Sequence, residues 1–270
     1  MAQSLFATLF PADCRICGAP LLRISRLPAC EHCLEAIRPM EGGLCSICGE
    51  RLVSPHAFAG AGEVRCGLCR RMEPPYARAV AYGSYEGGLR DLIHMLKYQQ
   101  VRPAANVLGR MLAEAVAGLE PSFVASRVCV IPVPLHRSKL RHRGFHQAEL
   151  ISRMALRLSP APDRYLLLSD GLERVRETQS QTGLTRHQRR ENMRGAFRVK
   201  RPEQVSGGGV LLVDDVFTTG TTVSECARIL RRAGAAKVWV ATVARTLKAE
   251  VQHAQLETAP DTDMTMAAHG

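Results

Sequence analysis

From Tyr76 onward, apolar runs of strand length alternate with amphipathic stretches. The pattern predicts strands over Ala79–Tyr85, Val128–Val133, Tyr165–Leu168, Val210–Val213 and Val238–Val243. Between them, Leu89, Leu92, Ile93 and Leu96 recur at helical spacing. Further helices are expected over Val107–Ala117, Gln147–Leu158 and Thr222–Ala233, the last stopped by Gly234. Val210–Val213 does not alternate, and a continuous apolar run suits a strand covered on both faces in the middle of a parallel sheet. Strands alternating with helices predict an α/β fold with a central parallel sheet and right-handed crossovers. Residues 76–247 are expected to form this unit, joined at Pro74-Pro75 to a cysteine-rich unit over residues 1–73. After Lys248 acids outnumber bases and periodicity ends, so residues 248–270 are expected to be a disordered tail.

Composition adds little until the residues that follow Val210–Val213 are read. Asp214 and Asp215 fall at the C-terminal end of that strand, the edge of an open α/β sheet where ligands sit, and the next helix presents free N–H groups there. Gly220 lets the backbone close on an anion. The hydroxyls of Thr218, Thr219, Thr221 and Thr222 add donors, while the two acids are placed to accept hydrogen bonds from vicinal ribose hydroxyls. The segment thus offers both halves of a ribose 5-phosphate site. An ordinary capped helix would need only one acid and one hydroxyl, and the Gly-x-x-x-x-Gly-Lys pattern of a nucleotide P-loop is absent. The stretch resembles the phosphoribosyl pyrophosphate (PRPP) signature of type I phosphoribosyltransferases.

Ahead of residue 74, eight of the ten cysteines form four Cys-x-x-Cys pairs: Cys14/Cys17, Cys30/Cys33, Cys45/Cys48 and Cys66/Cys69. Two thiolates at this spacing reach one ion at about 2.3 Å and a second pair completes a tetrahedron, so four pairs predict two structural zinc sites. Gly18 and Gly49 relieve the turns that bring amides toward sulfur. Pairing in chain order, Cys14/Cys17/Cys30/Cys33 and Cys45/Cys48/Cys66/Cys69, is favoured over an interleaved cross-brace. Disulfides belong to oxidising compartments and exported chains, and Met1–Phe10 lacks a basic region and a small-residue cleavage site. No segment is long enough to span a bilayer. A cytoplasmic chain without membrane insertion is expected. One reactive pair would serve a redox role, so four spread pairs speak for metal. His32 reads as a solvent-facing spacer, and Cys129 and Cys226 as small buried hydrophobes.

Charge is unevenly placed: of a net +11, Arg127–Lys200 holds 16 Lys and Arg against 6 Asp and Glu. A polyanion is expected to dock there. Within it, a loop leaving the strand at Val133 can neutralise a pyrophosphate through Pro134, Arg137, Lys139 and Arg143. Its prolines lower the ordering cost of binding; the rival reading is a solvated basic loop. Thr178, Gln179, Ser180 and Gln181 begin a polar, glycine-containing stretch that suits a mobile lid excluding water, with an ordinary surface loop left open. Thr185-Arg-His-Gln188 then looks like a capping box opening a short helix that carries Arg189, Arg190 and Arg194. Aromatic content of 5% argues against a dedicated single-strand binder, which relies on stacking.

The four cysteine pairs, Pro132-Val-Pro134 with Arg143-Gly-Phe-His-Gln147, the Thr178–Leu184 stretch and the PRPP signature, in this order, resemble the ComF family over the chain to about Leu247. The resemblance implies a double zinc ribbon preceding a type I phosphoribosyltransferase fold, and a link to single-stranded DNA uptake in competence. It implies displacement at ribose C1, with Mg²⁺ and basic groups on the departing pyrophosphate, Asp214 and Asp215 on the ribose and Thr218–Thr222 on the 5-phosphate. PRPP is then the expected partner, with single-stranded DNA and a competence helicase as further candidates. The alternative is a non-catalytic PRPP-sensing module that holds DNA or a helicase; a third reading is a metal-stabilised assembly domain. The family usually has Asn where this chain has His146, so an imidazole nitrogen must replace that contact.

Overall fold

The computed structural model of the chain describes residues 12–21, 23, 25–52, 64–123, 127–178 and 185–247. Its strands are β1 (Arg78–Ser84), β2 (Val128–Pro132), β3 (Tyr165–Leu167), β4 (Leu172–Arg174), β5 (Phe197–Val199), β6 (Gly209–Phe217) and β7 (Lys237–Arg245). Among the described residues the helices are α1 (Glu31–Glu35), α2 (Gly67–Arg71), α3 (Gly87–Tyr98), α4 (Ala104–Ala117), α5 (Arg137–Arg143), α6 (Gln147–Arg157), α7 (Arg186–Met193), α8 (Pro202–Val205) and α9 (Thr221–Arg232). Five strands form one parallel sheet in the order β1-β7-β6-β2-β3. The expected α/β architecture is present, and β6 lies at its centre.

The apolar run explains that place. Val210, Leu211, Leu212 and Val213 are each at most 1% exposed, and they divide by parity between two cores. Leu211 and Val213 pack with Leu92, Ile93 and Leu96 of α3, Leu108 and Leu112 of α4 and Ile151 of α6. Val210 and Leu212 pack with Val223, Cys226, Ala227 and Leu230 of α9 on the opposite face. Each such side chain removed from water contributes about 1.5–3 kcal/mol, so an alternating pattern could not have held this position.

Two features differ from the sequence expectation. Residues 137–143, read as a basic loop, form α5. His136 caps its start by accepting from Ser138 N, and Gly144, at φ 73°, stops it. Between these stops the residues are good helix formers. The antiparallel pairing of β4 with β5 lies outside the sequence expectation, since two three-residue strands separated by α7 carry no hairpin signal. The foreseen capping box is present: Gln188 N donates to Thr185 Oγ1 at 3.3 Å and Thr185 N to Gln188 Oε1 at 2.8 Å. The tail expected over 248–270 lies outside the described residues.

The cysteine-rich segment does not hang from Pro74-Pro75. It lies along β1, whose outer edge would otherwise expose unpaired backbone groups. Ala79 N donates to Ile47 O at 2.7 Å, and Met40 N to Tyr82 O at 2.6 Å. Cys14, Leu27, Ala29 and Cys33 join the core beneath α3, while Ile47 packs against the opposite core. No helix among the described residues is long and apolar enough to cross a membrane.

Candidate functional site

The strand pleat sends Asp214 and Asp215 to opposite sides of β6. Asp215 is 5% exposed, and its Oδ2 lies 2.8 Å from Nζ of Lys97, near the end of α3. Burial works against charge on both groups, yet the pair prevails: the Asp215 carboxyl is held below, and the Lys97 amine above, its ordinary value. Gln147, the first residue of α6, lowers the Asp215 carboxyl further. Asp214 is partly exposed, and its Oδ1 accepts from the Asp215 amide at 2.9 Å. Burial and then the Asp215 charge push its carboxyl up to about 7. One acid therefore has a counter-ion within the protein and the other is short of one.

Beyond the acids, β6 runs to Phe217 and turns into α9. Gly220 sits at φ 74° as the cap of this 12-residue helix. A Cβ there would lie 2.5 Å from Cζ of Phe217, so glycine is demanded by both conformation and space. The Thr219 and Thr221 hydroxyls bond at 2.8 Å, and Thr218 is exposed. With Thr222 they cluster about the start of α9, where the helix dipole favours an anion.

Cations complete the arrangement. Lys139 on α5 is exposed to solvent, yet the protein around its amine, then Arg174, Arg143 and Lys97, hold its pKa below the ordinary lysine value. Lys97 and Arg174 act on Asp214, and Arg143 on Asp215. Four cations thus stand against three acids, since Glu177 acts on Lys139 and Arg174 besides the two acids of β6, and the remaining excess suits a polyanion. Pro134 is buried at the exit of β2. Arg137 turns to Glu173 of β4 at 2.9 Å. Of the lid stretch, Thr178 is buried and accepts from Arg174 Nη2, while Gln179, Ser180 and Gln181 lie outside the described residues. Deeper cavities occur beside the second cysteine group and between α4 and α6, but neither acid lines them.

The eight paired cysteines gather in chain order into two quartets, Cys14/Cys17/Cys30/Cys33 and Cys45/Cys48/Cys66/Cys69, with all sulfurs of each within 4.8 Å. Cys17 and Cys30 sulfurs are 3.8 Å apart, and those of Cys48 and Cys66 3.7 Å. A tetrahedron with metal–sulfur bonds of about 2.3 Å has edges of about 3.8 Å, whereas a disulfide needs about 2.05 Å. Amides of Cys30 and Cys66 donate to the sulfurs of Cys14 and Cys45 at 3.3 and 3.2 Å, as around thiolate ligands. Gly18 and Gly49, at φ 74° and 69°, make the turns. The donor set fits a tetrahedral thiophilic dication such as zinc. His32 is exposed and belongs to neither quartet.

Residues 150–263 match the family described as phosphoribosyl transferase domain. A DNA utilization protein YhgH from Salmonella typhi is 35% identical over 241 residues, 88% of this chain and 98% of that protein. The chain belongs to the ComF family. Within that family, competence protein F of Haemophilus influenzae shares 32% identity over 80% of this chain and 96% of its own. Competence protein ComFC of Bacillus subtilis shares 26% over 77% and 79%.

In this ComF-family chain His146 does what an Asn at a helix start does. Its Nδ1 accepts from Glu149 N at 3.0 Å, capping α6. Burial lowers the pKa of the imidazole. Four residues of the site carried no sequence signal of their role. Lys97 reads as the polar side of an amphipathic helix, Arg174 lies on a three-residue strand, Gln147 reads as a helix start, and Tyr98 follows Lys97 unremarked. Tyr98 is 69% exposed, with the Arg143 guanidinium 5.7 Å from its ring.

Proposed function

We propose that this ComF-family chain binds PRPP at the C-terminal edge of β6 and transfers its phosphoribosyl group with loss of pyrophosphate. The observation that carries the reading is the convergence of two acids and four cations beside a left-handed glycine turn that opens α9. Asp214 and Asp215 accept hydrogen bonds from the ribose hydroxyls. The Thr218–Thr222 turn donates amides and hydroxyls to the 5-phosphate. Lys139, Arg143 and Lys97 carry the charge of pyrophosphate as the bond from C1 breaks, and Asp214 faces the positive charge that builds at C1. Its raised carboxyl is an acid lacking a counter-charge, which fits a divalent cation; Mg²⁺ would supply further neutralisation of the leaving group. No side-chain nucleophile is required. Zinc in both quartets would hold the segment that covers β1.

Incubation with Mg²⁺ and PRPP and a panel of nucleobases and amines is expected to release pyrophosphate in the presence of one acceptor class, and not with Asp214→Asn/Asp215→Asn. Retained PRPP binding without release from any acceptor would favour a second reading, a non-catalytic PRPP-responsive module acting on DNA in competence with a helicase partner. Two observations support that reading. The relatives are named for DNA utilization and competence, and Tyr98 with Arg143 offers an exposed stacking platform beside the acids. Trp239 and Phe197 offer none, since both are buried.

A further inference from the structure

The second quartet reaches the phosphate turn through one side chain. Arg245, the last residue of β7, is 4% exposed. Its Nη1 donates to the carbonyl of Cys48 at 2.6 Å, and its Nη2 pairs with Oε2 of Glu50 at 2.8 Å. Glu50 belongs to the same knuckle, for its carbonyl accepts from Cys45 N at 2.8 Å. One face of the guanidinium lies 4.4 Å from the ring centre of Phe217. That ring occupies the space beneath Gly220 that a Cβ would need. Phe217 is itself held, its carbonyl accepting from Thr246 N at 3.0 Å and its ring meeting Tyr76 edge-on at 6.4 Å. Elsewhere quartet and turn face each other across a cavity of about 330 Å³ lined by Cys66, Cys69, Tyr76, Thr219 and Thr221. The planar fork has both arms committed to the knuckle and one face to the ring that supports the turn. An ammonium has neither the second donor arm nor the flat face.

We infer that Arg245 is a positioning residue coupling the second quartet to the phosphate turn: with metal held by Cys45, Cys48, Cys66 and Cys69, Arg245 keeps Phe217 pressed beneath Gly220 and the turn shaped for phosphate. The inference rests on the proposed PRPP and zinc readings. Coupling between two binding events is reciprocal, so PRPP should in turn retain metal in this quartet. The first quartet packs beneath α3, against the opposite core, and serves as an internal reference.

The test treats the zinc-loaded full chain with a chelator and iodoacetamide, with and without saturating Mg²⁺ and PRPP, and follows alkylation of each cysteine peptide by mass spectrometry. Calorimetry on the same sample measures PRPP binding. PRPP is expected to slow alkylation of Cys45, Cys48, Cys66 and Cys69 by about fivefold or more, the lower end of typical coupling, and to leave the first quartet unchanged. Arg245→Lys is expected to remove most of this protection and to weaken PRPP binding by the same factor. If that variant does not fold, Phe217→Leu, which loses the ring face but keeps an apolar support, carries the same expectation. Binding without protection, equal protection of both quartets, or full protection in a folded variant would overturn the inference alone. Absence of binding in the unaltered chain would overturn the PRPP reading and this inference with it.

Discussion

Gly220→Ala is expected to weaken PRPP binding by about two orders of magnitude while leaving the sheet folded. At φ 74° an alanine carries about 1–2 kcal/mol of left-handed strain, and its Cβ would stand 2.5 Å from Cζ of Phe217. The ring cannot withdraw cheaply, since Arg245 covers one side and Tyr76 meets its edge. The turn must therefore move, and losing a hydrogen bond to the charged phosphate costs about 1.5–3 kcal/mol, up to about a hundredfold in affinity. Calorimetric titration with PRPP reads the affinity, and a thermal melt shows whether the fold survives. An alanine variant that binds like the unaltered chain would show that the turn does not hold the phosphate.

Lys97→Met should produce the largest loss of stability. Removing one partner of a buried pair leaves the other charge without compensation, at about 3–5 kcal/mol. The lower end applies here because Lys97 retains 14% exposure. In the unaltered chain the lowered Asp215 carboxyl contributes stability above the ordinary carboxylate range, which is lost as pH falls. Without Lys97, burial raises that carboxyl instead, so the variant should be weakest at neutral pH and regain part of the loss on acidification. Adding Asp215→Asn removes the stranded charge and should return stability to within about 1 kcal/mol of the original. Chemical denaturation at neutral and mildly acidic pH measures both. A single variant as stable as the parent would mean that the pair is not formed in solution.

What the sequence disclosed follows from locality. Val210–Val213 states its own burial, and the acids and threonines that follow are contiguous, so the central strand and the phosphate turn are written within thirteen residues. Cys-x-x-Cys spacing fixes which sulfurs can share an ion, and chain order supplied the pairing. Lys97 and Arg174 could not be read this way. Their roles depend on where α3 and β4 pack against β6, distant in sequence, and a lone cation on a helix or short strand looks like any solvated one. Arg137–Arg143 reads as a loop because prolines precede it and glycine follows; His136 and that glycine are the residues that begin and end a short helix. Tyr98 shows its exposure only once α3 has turned Leu92, Ile93 and Leu96 inward.

The most direct measurement is calorimetric titration of PRPP with Mg²⁺ into the unaltered chain and into Asp214→Asn/Asp215→Asn, at pH 8 and pH 6. With the Asp214 carboxyl raised to about 7, binding that requires its ionised form releases a proton at and below that pH, so affinity falls on acidification. A single site about tenfold weaker at pH 6 than at pH 8 is expected, with binding lost in the double variant. Equal affinity in the two proteins, or no binding to the unaltered chain at either pH, would contradict the placement of a phosphorylated pentose on the acids of β6.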